Sequence, residues 1–201
     1  MTTYGMVLFD DAEELDFVGP WEVFTVSEMV RNGGALPTGN VITIAEQSRP
    51  VRCNKGLRVE VDHSLDSAPA CDVLLVPGGQ GTRKEAENPV LLDWLAKRAE
   101  TTTWMTSVCT GSYLLVKSGV AAGKRVATHW AFEDTLEKAE LATVVRNARW
   151  VRDGQVVTSQ GVSAGIDMAL WIVGELHGAD HARSVQRYIQ YEPAPPYQAD
   201  V

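Results

Sequence analysis

Cys109 is the residue through which this chain can do covalent chemistry. It sits in Ser107-Val108-Cys109-Thr110-Gly111, after the apolar run Thr102–Val108 and before the helix-like run Gly111–Val116. Strand, sharp turn and helix start, in that order, make a nucleophile elbow with cysteine as the nucleophile. Such a turn aims the first amide N–H groups of the helix, and the positive end of its dipole, at the sulfur. A thiol held there is expected to lose its proton more easily than a free one, and the thiolate is the reactive form.

Two further segments are expected to meet Cys109. The strand-like Asp72–Pro77 ends in Gly78-Gly79-Gln80-Gly81, and the strand-like Gly5–Phe9 is followed by Asp16. In an open parallel sheet, chemistry collects beyond the carboxyl ends of the strands, where these segments lie. Gly78 and Gly79 let backbone come close to a reacting group, and the N–H groups of Gly79 and Thr110 are candidates to stabilise negative charge. No G-x-x-x-x-G-K-[ST] pattern follows the glycines, so no nucleotide site is read from them. Asp16 has two readings: a general acid–base partner of the thiol, or a cap for a helix expected to open at Gly19-Pro20. His129 likewise reads either as a base beside Cys109 or as a structural hydrogen-bonding group. His63, His177 and His181 lie in polar surroundings and are expected at the surface. Asp167 opens an apolar helix, where a carboxylate would satisfy amide donors. Trp21 and Trp130 read either as pocket walls or as core.

The elements that must position these residues alternate between strand and helix. Strand-like runs are Gly5–Phe9, Val41–Ala45, Leu57–Asp62, Asp72–Pro77, the run before Cys109, and Arg125–Thr128, with a hairpin made by Trp150–Arg152 and Gln155–Thr158 about Asp153-Gly154. Helix-like runs begin at Gly19, Pro89, Gly111, His129, Ala164 and His181, and residues 31–40 read as a loop. Several strands are apolar throughout, which predicts an α/β fold with a mainly parallel sheet covered on both faces. A chain of 201 residues without a linker or repeat is expected to form one domain over 1–201.

Composition excludes other classes. A net charge of −8 argues against nucleic-acid binding, which needs a basic surface. No apolar stretch reaches the roughly 18 residues of a membrane span. Cys53, Cys71 and Cys109 match no zinc spacing, and no metal site is expected. An odd cysteine count and the lack of a basic, apolar leader point to reduced thiols in the cytoplasm.

Taken together, these segments resemble the DJ-1/PfpI superfamily, and within it the isocyanide (isonitrile) hydratases. The resemblance rests on Leu15-Asp16-Phe17-Val18-Gly19-Pro20, Val76-Pro77-Gly78-Gly79, Thr106–Ser112 around Cys109, Ala127-Thr128-His129-Trp130-Ala131, Val151–Gly154, Gly161–Asp167 and the Pro-rich ending Tyr191–Pro196. Amidase-like domains of certain AraC-type regulators share much of this pattern. The resemblance implies a flavodoxin-like (class I glutamine amidotransferase-like) three-layer sandwich and a homodimer. It implies a small-molecule substrate and no cofactor, with Cys109 as nucleophile, Asp16 as the acid beside it, Thr110 after it and Val162 near it. The implied reaction adds water to an isocyanide through a cysteine thioimidate, giving an N-substituted formamide. The alternatives are a cysteine amidase or peptidase, and a redox-sensing or regulatory protein. Proteolytic members carry a histidine directly after the nucleophile, where this chain has Thr110.

Overall fold

Strands that are apolar on both faces form the centre of the molecule, and helices cover each side. The computed structural model describes residues 2–36 and 40–193. In chain order the elements are β1 (Tyr4–Val7), α1 (Glu14–Arg31), β2 (Val41–Ala45), β3 (Val51–Arg52), β4 (Arg58–Val59), β5 (His63–Ser64) and β6 (Val73–Val76). There follow α2 (Thr82–Glu85), α3 (Pro89–Ala99), β7 (Trp104–Val108), α4 (Gly111–Lys117), β8 (Arg125–Val126), a 3₁₀ turn (Trp130–Phe132) and α5 (Glu133–Lys138). The last are β9 (Thr143–Val144), β10 (Trp150–Asp153), β11 (Val156–Ser159), α6 (Ala164–His177) and α7 (Ala179–Tyr188).

The main sheet has the order β10-β11-β7-β6-β1-β2-β5. Only the β10–β11 hairpin is antiparallel; the other neighbours run parallel. Period-two alternation sorts side chains to the two faces. From β6, Val73 and Leu75 pack with Phe17 and Phe24 of α1 and with Met168 and Ile172 of α6. Leu74 and Val76 pack with Leu91 and Leu95 of α3 and with Leu114 and Leu115 of α4. Two apolar layers, one on each face, make the flavodoxin-like three-layer arrangement expected of the sequence. Local signals agree where they are strong: Asn88 caps α3 by accepting from the Val90 N–H at 3.1 Å, with Pro89 in the first turn.

Several expectations are corrected. Helix α1 opens at Glu14, five residues before Gly19, so Asp16 lies on the helix and Pro20 inside it. Pro20 has no N–H for the Asp16 carbonyl, yet its buried ring is held under α6, where the side chain of Gly165 would otherwise stand. Of Leu57–Asp62 only Arg58–Val59 pairs, with β3 in a separate ribbon, and His63–Ser64 takes the sheet edge instead. Arg125–Val126 pairs with β9 outside the main sheet. His177 and His181 are half-buried rather than free on the surface. His177 Nε2 lies 3.2 Å from the Tyr4 hydroxyl and 3.6 Å from Glu28, and His181 Nε2 lies 2.9 Å from Ser27 Oγ. They tie α6 and α7 to α1. The Pro-rich ending from residue 194 onward, and residues 37–39 of the loop, lie outside the described residues.

Helix α4 approaches the end of β6 so closely that Gly111 has no room for a side chain. A Cβ there would stand 2.1 Å from the Val76 carbonyl oxygen and 2.8 Å from that of Pro77. Overpacking of this kind costs about 1–3 kcal/mol. Gly111→Ala is therefore expected to lower the midpoint of urea unfolding by a corresponding amount; an unchanged midpoint would show that the contact is not tight.

Candidate active site

The elbow is held from several sides. Cys109 has φ +57°, a left-handed backbone that few residues other than glycine adopt. Its N–H donates to Gln160 O at 3.1 Å, and its carbonyl accepts from Ser112 Oγ at 3.2 Å and Thr128 Oγ1 at 3.1 Å. Strained backbone persists only where its surroundings fix it in this way, and it gathers at functional sites. The Gly78-Gly79 turn lies against the elbow. A Cβ on Gly78 would meet the Thr110 nitrogen at 2.6 Å and Cys109 Cβ at 2.8 Å. Gly79 has φ +116°, and a Cβ there would stand 2.4 Å from Asp11 O.

These contacts bring Asp16, Gly78, Gly79, Cys109, Thr110 and Val162 into one cluster. Asp16 is fully buried, and its Oδ2 accepts from the Gly78 N–H at 2.8 Å, while Oδ1 has no hydrogen-bond partner. Asp16 does not cap α1: Glu13 stands at the cap position, and its side chain makes no capping bond. Gly79 is not a vacant donor, because its N–H donates to Thr110 Oγ1 at 3.1 Å. Thr110 Oγ1 also accepts from Thr82 Oγ1 at 3.2 Å. Val162 has φ +51°, an outlier for a β-branched side chain, and its backbone N–H stabilises the charged form of Asp16.

Burial pushes the Asp16 carboxyl up to about 7, with Glu13 adding to it, against the pull of the Gly78 N–H. Burial also pushes the Cys109 thiol up to about 12, and the Asp16 charge adds to it. The Thr110 amide and hydroxyl pull the thiol back. The direction is opposite to that expected at a helix mouth. Cys109 is only 7% exposed, and desolvation of the thiolate outweighs the donors that face it. No hydrogen bond joins Asp16 to Sγ; the two interact through charge. Near neutral pH the thiol therefore keeps its proton, while the carboxyl, at about 7, is near its midpoint and populates both forms.

The site opens on a pocket of about 210 Å³, lined by Cys109, Thr110, Gly79 and Val162 together with Glu13, Asn54, Gln80, Arg83, His129 and Phe132. Asp16 is not on its wall. Of the lining residues, Glu13, Asn54, Gln80, Arg83 and Phe132 were not read from the sequence, where nothing but three-dimensional packing could single them out. His129 Nδ1 accepts from the Ala131 N–H at 3.2 Å, and its ring packs on Gly161. Burial pushes its pKa down, so it is a neutral ring. It makes no hydrogen bond to Cys109. Trp130 is 70% exposed and lies tilted against His129, with ring centroids 5.6 Å apart, and Trp21 packs against the core. Asp167 pairs with Arg149 rather than with the amides of α6. Among the described residues no cluster of His, Cys, Asp and Glu could hold a metal ion, and no helix is long and apolar enough to cross a membrane.

Asp16→Asn tests the coupling twice. The amide keeps the acceptor for Gly78 but cannot ionise. Asp16 has its folded pKa above its unfolded value, so its ionisation opposes folding as pH rises from about 4 to 7. Three units correspond to about 4 kcal/mol. The variant is expected to gain stability over the wild type progressively across that window in urea titrations. It is also expected to alkylate with iodoacetamide at lower pH, because the charge that holds back the thiolate is gone. A pH dependence of alkylation identical to the wild type would contradict the coupling.

The family model described as DJ-1/PfpI matches residues 5–175. An isonitrile hydratase of Pseudomonas putida is 37% identical over 193 residues, covering 96% of this chain and 80% of that protein. A glutathione-independent glyoxalase, DJR-1.2 of Caenorhabditis elegans, is 28% identical, covering 88% and 89%. The crystal structure of a THiJ/PfpI family protein from Pseudomonas syringae superposes with a TM-score of 0.88 at 30% identity, covering all of this chain and 80% of that one.

Proposed function

This chain belongs to the DJ-1/PfpI family, and from that premise we propose that it is a cofactor-independent hydratase that converts an isocyanide to an N-substituted formamide. The observation that carries the reading is the pairing of a strained, pocket-facing thiol with a buried carboxyl raised to about 7, which can both give and take a proton near neutral pH. Addition to an isocyanide places both a sulfur and a hydrogen on the same terminal carbon. A thiol that brings its own proton, beside a carboxyl able to relay it, suits that requirement.

In the proposed sequence the Cys109 sulfur bonds to the terminal carbon and the thiol proton ends on that carbon, relayed by Asp16. The product is a thioimidate, R–N=CH–S–Cys109. Water then adds to the same carbon, its second proton goes to nitrogen, and the carbon–sulfur bond breaks. The thiol is regenerated and the formamide R–NH–CHO leaves, so that the net change is the addition of one water. Asp16 is the general acid and base in both halves, and the covalent intermediate divides one hard addition into two easier ones. The Thr110 N–H supports the sulfur when it carries charge. Gly78 positions Asp16, and Gly79 positions Thr110.

Two other readings have less support. A Cys–His amidase needs a base in reach of the sulfur, and His129 spends Nδ1 on the Ala131 N–H. Oxidation sensing favours an exposed, low-pKa thiol, whereas Cys109 is buried and its thiol pushed up. The homodimer expected of the family remains part of the proposal, and Leu15 and Val18 leave apolar surface exposed on α1.

A panel of alkyl and aryl isocyanides tests the reading by chromatographic detection of the formamide. The wild type is expected to turn over at least one, Cys109→Ala to fall to the uncatalysed rate, and Asp16→Asn to lose about 10²–10⁴-fold in kcat. Formamide production that survives in Cys109→Ala, or is absent from the wild type across the panel, would overturn it.

A further inference from the structure

We propose that Arg83 reads the substrate, and that this site takes a small electrophile bearing a carboxylate. Under the reading above, on which the identity of the electrophile rests, this is an isocyano acid rather than a neutral isocyanide.

Arg83 of α2 lines the same pocket as Cys109. Its Nη1 donates to Gly79 O at 2.9 Å and Thr82 Oγ1 at 3.0 Å. One face of the guanidinium lies on the Phe132 ring, with Cζ 4.8 Å from the centroid. The group is thus held on one edge and one face. Among the described residues, Nε and Nη2 make no protein hydrogen bond and Arg83 makes no ion pair. An arginine fixed in this way, with an edge unspent and no counter-charge, is prepared for an oxyanion. Because the orientation is already set, little ordering remains to be done on binding.

The neighbouring charges leave Arg83 unbalanced. Glu13, on the same pocket wall, pairs with Lys55 and accepts from Asn54 at 3.2 Å. Asp16 is held towards its neutral form, and so is His129. The chain as a whole carries −8, so its overall field does not draw anions; a local cation is needed to bind one here. Nη1 comes within 3.5 Å of Thr110 Oγ1, beside the nucleophile. Because Arg83 and Cys109 line the same pocket, one small molecule would present its carboxylate to the unspent edge and its reacting carbon to Cys109. The pocket, at about 210 Å³, is smaller than the roughly 300 Å³ where drug-sized ligands begin.

Two experiments separate this inference from the hydratase reading. The first uses no isocyanide. Cys109 alkylation by anionic iodoacetate is compared with that by neutral iodoacetamide, each rate divided by that of free cysteine, in the wild type, Arg83→Gln and Arg83→Lys. The iodoacetate-to-iodoacetamide ratio is expected to drop about tenfold in Arg83→Gln, the factor that one charge-assisted hydrogen bond brings. Arg83→Lys, which keeps the charge, is expected to retain part of it. Because both reagents report on the same protein, a general loosening of the turn cancels in the ratio. The second compares kcat/KM for isocyanoacetate with that for its methyl ester, and the same drop is expected there, carried by KM. A ratio that is the same in wild type and Arg83→Gln overturns the role of Arg83, whether or not isocyanides are hydrated. A drop in the alkylation ratio without any isocyanide turnover supports the anion site and removes the hydratase reading.

Discussion

The site depends on how closely two neighbouring strand ends can approach each other. β6 and β7 are parallel and adjacent, so the turns that leave them compete for the same space. Only glycine at 78 lets the first turn lie against the Cys109 elbow, since a Cβ would strike the Thr110 backbone at 2.6 Å. That approach turns the Gly78 N–H to Asp16 and the Gly79 N–H to Thr110. The Glu13 N–H in turn donates to Gly78 O at 2.9 Å, which pins the start of α1 to the same turn. One backbone contact therefore positions the thiol, the carboxyl and the hydroxyl together.

Burial sets the electrical character of what is positioned. Both ionisable groups lose hydration, and both are driven towards their protonated forms. The carboxyl, raised to about 7, destabilises the fold as it ionises, so stability falls as pH rises towards that value. The compensating order lies in the backbone. Cys109 in its left-handed conformation is fixed by three hydrogen bonds from three different segments, and rigid surroundings of this kind keep a reactive geometry without help from a bound ligand.

Much of this was legible in the sequence because it is local. The apolar run, the cysteine and the helix start are contiguous, and Gly78-Gly79 at the end of an apolar strand marks a close approach. The parallel sheet followed from strands with no polar face. What failed was set by distant contacts. Pro20 reads as a helix start, but the Glu13 N–H bond to Gly78 O and the bridge between Ala12 and Gly79 hold the segment before it, and α1 opens at Glu14. The amide donors facing the thiol are local to the elbow, whereas the burial that outweighs them is set by distant packing. His177 and His181 look polar in sequence, yet their partners Tyr4, Glu28 and Ser27 lie about 150 residues or more away along the chain. Arg83 and Glu13 reach the pocket only through the way α2 and α1 pack around the glycine turn.

The central claim is that Cys109 becomes covalently bonded to the carbon that is later hydrated. The most direct test is to mix the protein with an alkyl isocyanide in heavy-oxygen water, quench with acid during turnover, and measure the intact and peptide masses. A transient adduct on Cys109 equal to the full mass of the isocyanide, with nothing lost, is expected, and one heavy oxygen in the released formamide. Labelled formamide formed with no adduct on Cys109 at any quench time would contradict it.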